Sequence, residues 1–392
     1  MAKVASGLDC FREGEWGRFR GARLGLLCNQ ASLDAGLRPA ARVVTEALPG
    51  GLRALFGPQH GYAGVDQDNM VETDHGYDPD LAVPVYSLYA DRREPRPGML
   101  EEIDVLMVDL QDVGTRVYTF ASTLLNCMRA AARAGRRVVV LDRPNPLGGE
   151  AVEGNLLAAD MHSFVGPARI PMRHGLTMGE MALYFKEAFR MDVDLDVVPM
   201  AGWRRDMLWR DTGLRWVMPS PNMPLPETAM VYPGQVLWEG TNVSEGRGTC
   251  RPFEIFGAPF LRPERLLERL PPPAVEGALL QPFSFKPTFH KWAEQACRGF
   301  HIHVLDARAF QPYLTSLALL SAILRETGER FAWRDPPYEY ETERLPIDLI
   351  LGDAGLRKAV EKGVEPLDLW EDWQGDLSEF REGRRGLLLY PP

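Results

Sequence analysis

The chain reads as an α/β protein: a Rossmann-like, doubly wound, mostly parallel sheet followed by a second, smaller α+β domain. Three observations predict it. The first half alternates near-continuous Val/Leu/Ile runs with helical stretches, the pattern of strands buried on both faces. A proline-rich passage, Met218–Glu227 ("MPSPNMPLPE"), then interrupts the alternation. Beyond it come isolated strands and many Pro/Trp/Tyr loops. A length of 392 residues suits two or three domains, and the boundary is placed so that residues 1–225 form the Rossmann-like domain and 226–392 the α+β domain closing a cleft.

In chain order, Arg23–Asn29 ("RLGLLCN") is a short apolar run, and Pro39–Leu48 carries helical spacing. Leu52–Phe56 and Val83–Leu88 are the next strand candidates, and Asp104–Leu110 ("DVLMVDL") reads as a buried strand. A helix is expected from about Tyr118 to Ala134, then a strand at Arg137–Leu141. Thr177–Arg190 opens with a Thr-x-x-Glu capping box, Thr177 with Glu180, and leads to a strand at Leu195–Pro199. In the second half Gly299–Leu305 reads as a strand and Pro312–Arg325 as a helix. No internal repeat or low-complexity tract is visible.

Composition narrows the function. The chain is 45% hydrophobic and 25% charged, ordinary globular values. A net charge of −10 argues against a general nucleic-acid binder, which would show a basic face. The amino terminus lacks the apolar core of a signal peptide, and no window approaches a membrane span, so a cytoplasmic protein without a membrane partner is expected. Five scattered cysteines without CxxC spacing read as reduced thiols rather than a disulfide frame or zinc site.

In an open parallel sheet, ligands bind beyond the carboxyl ends of the strands. Those ends carry Asn29 and Gln30; Gln59 and His60; Tyr86 and Ser87; Asp109, Gln111 and Asp112; and Asp142, Arg143 and Asn145. Single polar residues there often serve as helix caps, but five polar ends together favour a polar pocket. The first strand-to-helix turn, "CNQASLDAG", has no G-x-G-x-x-G, and no phosphate loop, nucleophile elbow or H-E-x-x-H helix occurs. No cofactor is therefore expected. His301 and His303 share a strand face without a third ligand placed nearby, so no metal site is assigned. Two denser clusters remain: "DLQDVGTRVYTF" (Asp109–Phe120) and "WEGTNVSEGRGT" (Trp238–Thr249). Carboxylates, amides and aromatic rings in loops suit a sugar, because amides and carboxylates bind hydroxyls while rings stack on C–H faces.

At these residues the chain resembles a known family. "FGPQHGYAG", "VDLQDVGTRVYTF", "DRPNPLGG", "VEGNLL", "IPMRHGLTMGEMA", "PSPNMP", "YPGQVLWEGTNVSEGRGT" and "CRGFHIHVLD" are similar, in order, to the exo-β-N-acetylmuramidase family of glycoside hydrolases, formerly a domain of unknown function. The similarity runs from about Arg23 to the carboxyl terminus. It implies a Rossmann-like domain without nucleotide, a smaller carboxyl-terminal domain, and a cleft binding a terminal N-acetylmuramic acid, hydrolysed without a metal. The chain departs from the family where many members carry Pro-Glu-His-Gly: here the residue is Gln59, which cannot act as a general acid.

The reaction needs a proton donor and a group that stabilises an oxocarbenium-like transition state, or that orients an N-acetyl group acting as internal nucleophile. On that reading Glu239 or Glu72 supplies or relays the proton, Asp109 orients the acetamide or the sugar, and His60 is a proton partner with an ordinary pKa of ~6.5. Gln59 and Asn222 would bind hydroxyls or the acetamide. Arg116, Arg173 and Arg247 could hold a lactyl carboxylate through a bidentate fork. Arg143 ranks behind them because its neighbour Asp142 can occupy it. Gln111, Tyr118, Asn145, His174 and Asn242 complete the expected substrate-binding set. A sugar-binding or sensing protein that has lost the acid is the alternative, favoured by Gln59. A hydrolase or transferase on a different substrate, for example a nucleotide sugar, is a third reading that the absence of a phosphate loop weighs against.

Overall fold

The computed structural model describes residues 3–68 and 70–392. The strands, in chain order, are β1 (Leu24–Cys28), β2 (Leu52–Gly57), β3 (Gly76–Asp78), β4 (Val83–Ser87), β5 (Val105–Asp109), β6 (Arg137–Leu141), β7 (Glu153–Leu156), β8 (Pro171–Arg173), β9 (Leu195–Val198), β10 (Ile255–Ala258), β11 (Ala278–Phe285) and β12 (Cys297–Val304). A seven-stranded sheet runs β3-β4-β2-β1-β5-β6-β9. All its pairings are parallel except the short edge hairpin β3–β4. A three-stranded antiparallel sheet, β10-β12-β11, belongs to the second domain. No helix among the described residues is long and apolar enough to cross a membrane.

The central strands β1 and β5 are buried along their whole length, as their unbroken apolar runs require. Helices Ala40–Ala47, Thr119–Ala134 and Met178–Ala188 connect and cover the sheet. At the last of these the Thr177 hydroxyl accepts from the Glu180 amide while the Glu180 carboxylate accepts from the Thr177 amide, so the reciprocal cap is formed.

The second half holds more regular structure than its sequence pattern suggests. β11 contains Pro282, which lacks a ladder donor, and the strand accordingly sits at a sheet edge. Residues Pro226–Gln235, of which only Pro226 and Glu227 belong to the proline-rich passage read above as the interruption, are a helix with Pro233 inside it. That helix crosses Pro312–Thr327 at Gly234, where an added Cβ would lie 1.9 Å from the Pro312 carbonyl oxygen and 2.3 Å from Ser316 Oγ. Gly234→Ala is expected to destabilise the protein by about 1–3 kcal/mol or more by forcing the helices apart. A urea midpoint equal to that of wild type would contradict this account.

Candidate active site

In an open α/β sheet the crevice is expected where strand order reverses, here between β1 and β5. The chain itself fills that place. Arg143, just after β6, forms a bidentate pair there with Asp109 at the end of β5 and donates to the Leu33 carbonyl at 2.9 Å, and the Ser32 hydroxyl donates to the Asp109 carbonyl. The space left among Leu33, Gln111, Arg143 and Trp209, about 30 Å³, is bordered by polar groups already satisfied, Asp109 by Arg143 and Gln111 by the Asp112 and Pro144 carbonyls. The cavity that gathers the site chemistry lies instead beyond β2, against the second domain.

β2 ends at Gly57, and the chain turns at once, the Gly61 amide donating to the Pro58 carbonyl at 3.0 Å. A Cβ on Gly57 would stand 2.6 Å from the Tyr62 nitrogen, so the turn needs glycine there. His60 itself takes the left-handed conformation, φ 70°. Facing this turn are Val117–Phe120, at the start of the Thr119–Ala134 helix, and Ser220, Asn222 and Met223 from the proline-rich passage. The second domain contributes Tyr232, Glu239, Arg247, Phe253, Tyr338 and Glu339. The enclosed space is about 40 Å³.

Glu239 follows Trp238, which is fully buried, stacked on Phe256 at 4.8 Å, and donates from its indole to Gln235 at 2.9 Å. The Glu239 carboxylate accepts from Arg247 Nη2 and from the Tyr338 hydroxyl, each at 2.6 Å. Arg247 Nε lies 3.1 Å from Glu245, which in turn accepts from Lys291 Nζ at 2.8 Å. Burial raises the Glu245 pKa, but Lys291, His290 and Arg247 outweigh it and hold it well below the usual carboxylate range.

A second carboxyl shares the cavity. Glu339 is buried, accepting from the Tyr89 hydroxyl at 2.6 Å and from Gln59 Nε2 at 3.0 Å. Burial pushes its pKa up to about 7; the Tyr89 and Gln59 hydrogen bonds oppose that shift and the Glu239 charge adds to it. Gln59 Oε1 accepts from the Thr119 hydroxyl at 2.6 Å. In this orientation Nε2 donates to both Glu339 and the Tyr89 hydroxyl while Oε1 accepts from Thr119, so all three partners are satisfied. His60 Nδ1 donates to the Asp66 carbonyl at 2.5 Å, which leaves Nε2 as an acceptor. Burial lowers the His60 pKa to about 4, so the ring is neutral near pH 7.

Among the residues expected from sequence, the structure brings together Gln59, His60, Tyr118, Asn222, Glu239 and Arg247 around this cavity. Eight others lie elsewhere, each with a physical reason. Asp109 is fully buried and forms a bidentate pair with Arg143; Asp142 instead accepts from Thr177 and Tyr390. Gln111 donates to the Asp112 and Pro144 carbonyls. Asn145 spans the Leu147 amide and the Leu176 carbonyl. Arg116 donates to four backbone carbonyls in the core, and Arg173 donates to the Leu147 carbonyl. His174 is buried between the Leu176 amide and Asp112. Asn242 holds the backbone at Arg330 and Ala332. Glu72 is exposed and lies 3.6 Å from Arg93.

Sequence reasoning passed over Glu339, Tyr338, Tyr89 and Thr119. The signal at the first two was the run "PPYEYETE", dense in tyrosine and glutamate. Glu339 (φ 45°) and Tyr340 (φ 68°) both sit in the left-handed region, a strained arrangement that sites tend to carry.

Two family models match consecutive parts of the chain: "Exo-beta-N-acetylmuramidase NamZ, N-terminal" over residues 24–227 and its C-terminal counterpart over residues 230–390. Over 388 residues the chain is 38% identical to the peptidoglycan beta-N-acetylmuramidase NamZ of Bacillus subtilis (strain 168), covering 99% of this chain and 92% of that protein. Two crystal structures of DUF1343 family proteins from Bacteroides fragilis are similar in fold. One superposes with a TM-score of 0.86 at 30% identity, covering 100% of both chains. The other gives 0.78 at 25% identity, covering 100% of this chain and 99% of that one.

Proposed function

Because the chain belongs to the exo-β-N-acetylmuramidase NamZ family, we propose that it is a glycoside hydrolase releasing a terminal N-acetylmuramic acid, or a related N-acetyl amino sugar, from peptidoglycan fragments. The observation carrying this reading is the Glu239 carboxylate, held by Arg247 and Tyr338 against a buried cavity that also presents Gln59, His60 and Asn222. Positive charge develops at the anomeric carbon as a glycosidic bond breaks, and a carboxylate fixed in a water-poor site is suited to stabilise it. With an N-acetyl sugar the same carboxylate can orient the acetamide for attack on that carbon, the role that Asp109 is too far inside the sheet to take. Asn222 suits a hydroxyl or acetamide contact, whereas the Gln59 amide is already engaged by Tyr89, Glu339 and Thr119. The five cysteines, all unpaired, accord with action in the cytoplasm on recycled fragments.

The competing reading, a binding protein that has lost its acid, draws on Gln59. One experiment decides between them. The protein is incubated with nitrophenyl N-acetylmuramide and nitrophenyl N-acetylglucosaminide, with release of nitrophenol followed and sugar binding measured by calorimetry. Turnover of the muramide is the expected result. Binding without turnover would favour the sensor, and no binding to either sugar would sink both readings.

A further inference from the structure

We propose that Glu339 is the proton donor of this site and that Gln59 is the positioning residue that holds it. The inference rests on the hydrolase reading above. Two carboxyl groups line the cavity, and their surroundings differ in kind. Glu239 is engaged by a guanidinium and a phenol. Among the described residues Glu339 is engaged only by neutral donors, the Tyr89 hydroxyl and the Gln59 amide, and no cation lies within ion-pair distance of it. A group paired to a fixed cation holds a proton poorly; a buried group with neutral partners holds one well. Environments that push two nearby carboxyls apart separate an acid from a charge stabiliser.

Tyr89 and Gln59 donate to Glu339, the Glu239 charge disfavours its ionisation, and Arg93 is the cation that opposes this. Tyr232 and Tyr338 line the same cavity, both phenols raised far above their ordinary value by burial and thus neutral. The resulting pKa of about 7 is well placed for general acid catalysis near neutral pH. Gln59 is itself oriented by Thr119, so a chain of hydrogen bonds from the Thr119–Ala134 helix fixes the carboxyl in position.

In the reaction the bond between the anomeric carbon and the leaving oxygen breaks. Its electron pair goes to that oxygen, which takes the Glu339 proton and departs as an alcohol. Water supplies the new oxygen on the anomeric carbon, and one of its protons returns Glu339 to the acid form. No oxidant, reductant or co-reactant other than water is needed.

The test compares wild type, Glu339→Gln, Glu339→Asp and Gln59→Glu on two substrates across pH: a muramic-acid disaccharide with a sugar leaving group, and the nitrophenyl muramide. Glu339→Gln should lower disaccharide hydrolysis by about 100- to 10,000-fold, the usual worth of a positioned acid. It should spare the nitrophenyl glycoside, whose leaving group departs without a proton, and abolish the basic limb of the kcat/KM profile. Glu339→Asp retains a carboxyl and should keep that limb at a reduced rate. Gln59→Glu places a second carboxyl against Glu339, so the pair shares a proton and the limb moves to higher pH. Equal losses on both substrates with the basic limb unmoved would reduce Glu339 to a structural role and overturn the proposal. Wild type inert toward both substrates would instead remove the hydrolase reading, and this role with it.

Discussion

Glu239→Gln is expected to lower kcat/KM on a muramic-acid disaccharide by about 100- to 1,000-fold, the range for losing one preorganised electrostatic group. The substitution keeps the shape of the side chain. It removes the negative charge and sets an amide NH₂ against either Arg247 or the Tyr338 hydroxyl, both of which donate at 2.6 Å in wild type. Arg247 retains Glu245, so the cluster should stay folded. The fall should appear in kcat, because the lost interaction matures with positive charge in the transition state, while calorimetric affinity for the free sugar changes little. The Glu239 charge also helps raise Glu339, so the basic limb of the pH profile should shift toward lower pH in this variant. Activity within about threefold of wild type would assign the stabilising charge elsewhere, since removal of such a group costs far more than that.

Arg116→Met should instead cost stability, by about 3–5 kcal/mol, the scale of breaking a buried, hydrogen-bonded charge site. The guanidinium is fully buried and donates to the carbonyls of Asn155 (2.8 Å), Ile170 (3.0 Å), Ile350 (3.3 Å) and Leu351 (2.7 Å). The last two lie at the end of the Pro346–Leu351 helix, whose terminal carbonyls need donors and favour a cation. Burial lowers the Arg116 pKa to about 10, which still leaves it charged near pH 7. Methionine fills part of the volume but supplies none of the donors. Urea denaturation measures the loss, and KM determined where the variant remains folded should match wild type. A raised KM with unchanged stability would return Arg116 to the substrate-binding role its motif suggests.

The difference between that motif reading and the structure shows where sequence is informative. The large sheet was legible because β1, β5 and β6 are apolar along most of their length, a pattern that leaves few alternatives. The second domain was less so: its edge strand carries Pro282, and the helix bearing Tyr232 carries Gly234 and Pro233. At the site, Gln59 and His60 were found because glycines bracket a strand-end turn. The strand-end rule also drew in Asp109, Gln111 and Asn145, because it cannot tell an open crevice from one whose polar groups are already taken by Arg143 and by backbone carbonyls of the same chain. Glu339 could not be paired with Gln59 by any local pattern, since 280 residues separate them and only the packing of the second domain brings them together.

The cluster around Arg247 has a consequence for how substrate arrives. Glu239 and Glu245 stand against Arg247 and Lys291, and burial lowers the His60 pKa to about 4, leaving that ring neutral near pH 7. Those charges cancel, so the cluster projects little field beyond contact distance. On a chain of net charge −10, nothing in it draws an anionic glycan fragment from solution. Capture then depends on shape and on hydroxyl and amide contacts, and dissolved salt weakens a repulsion rather than an attraction.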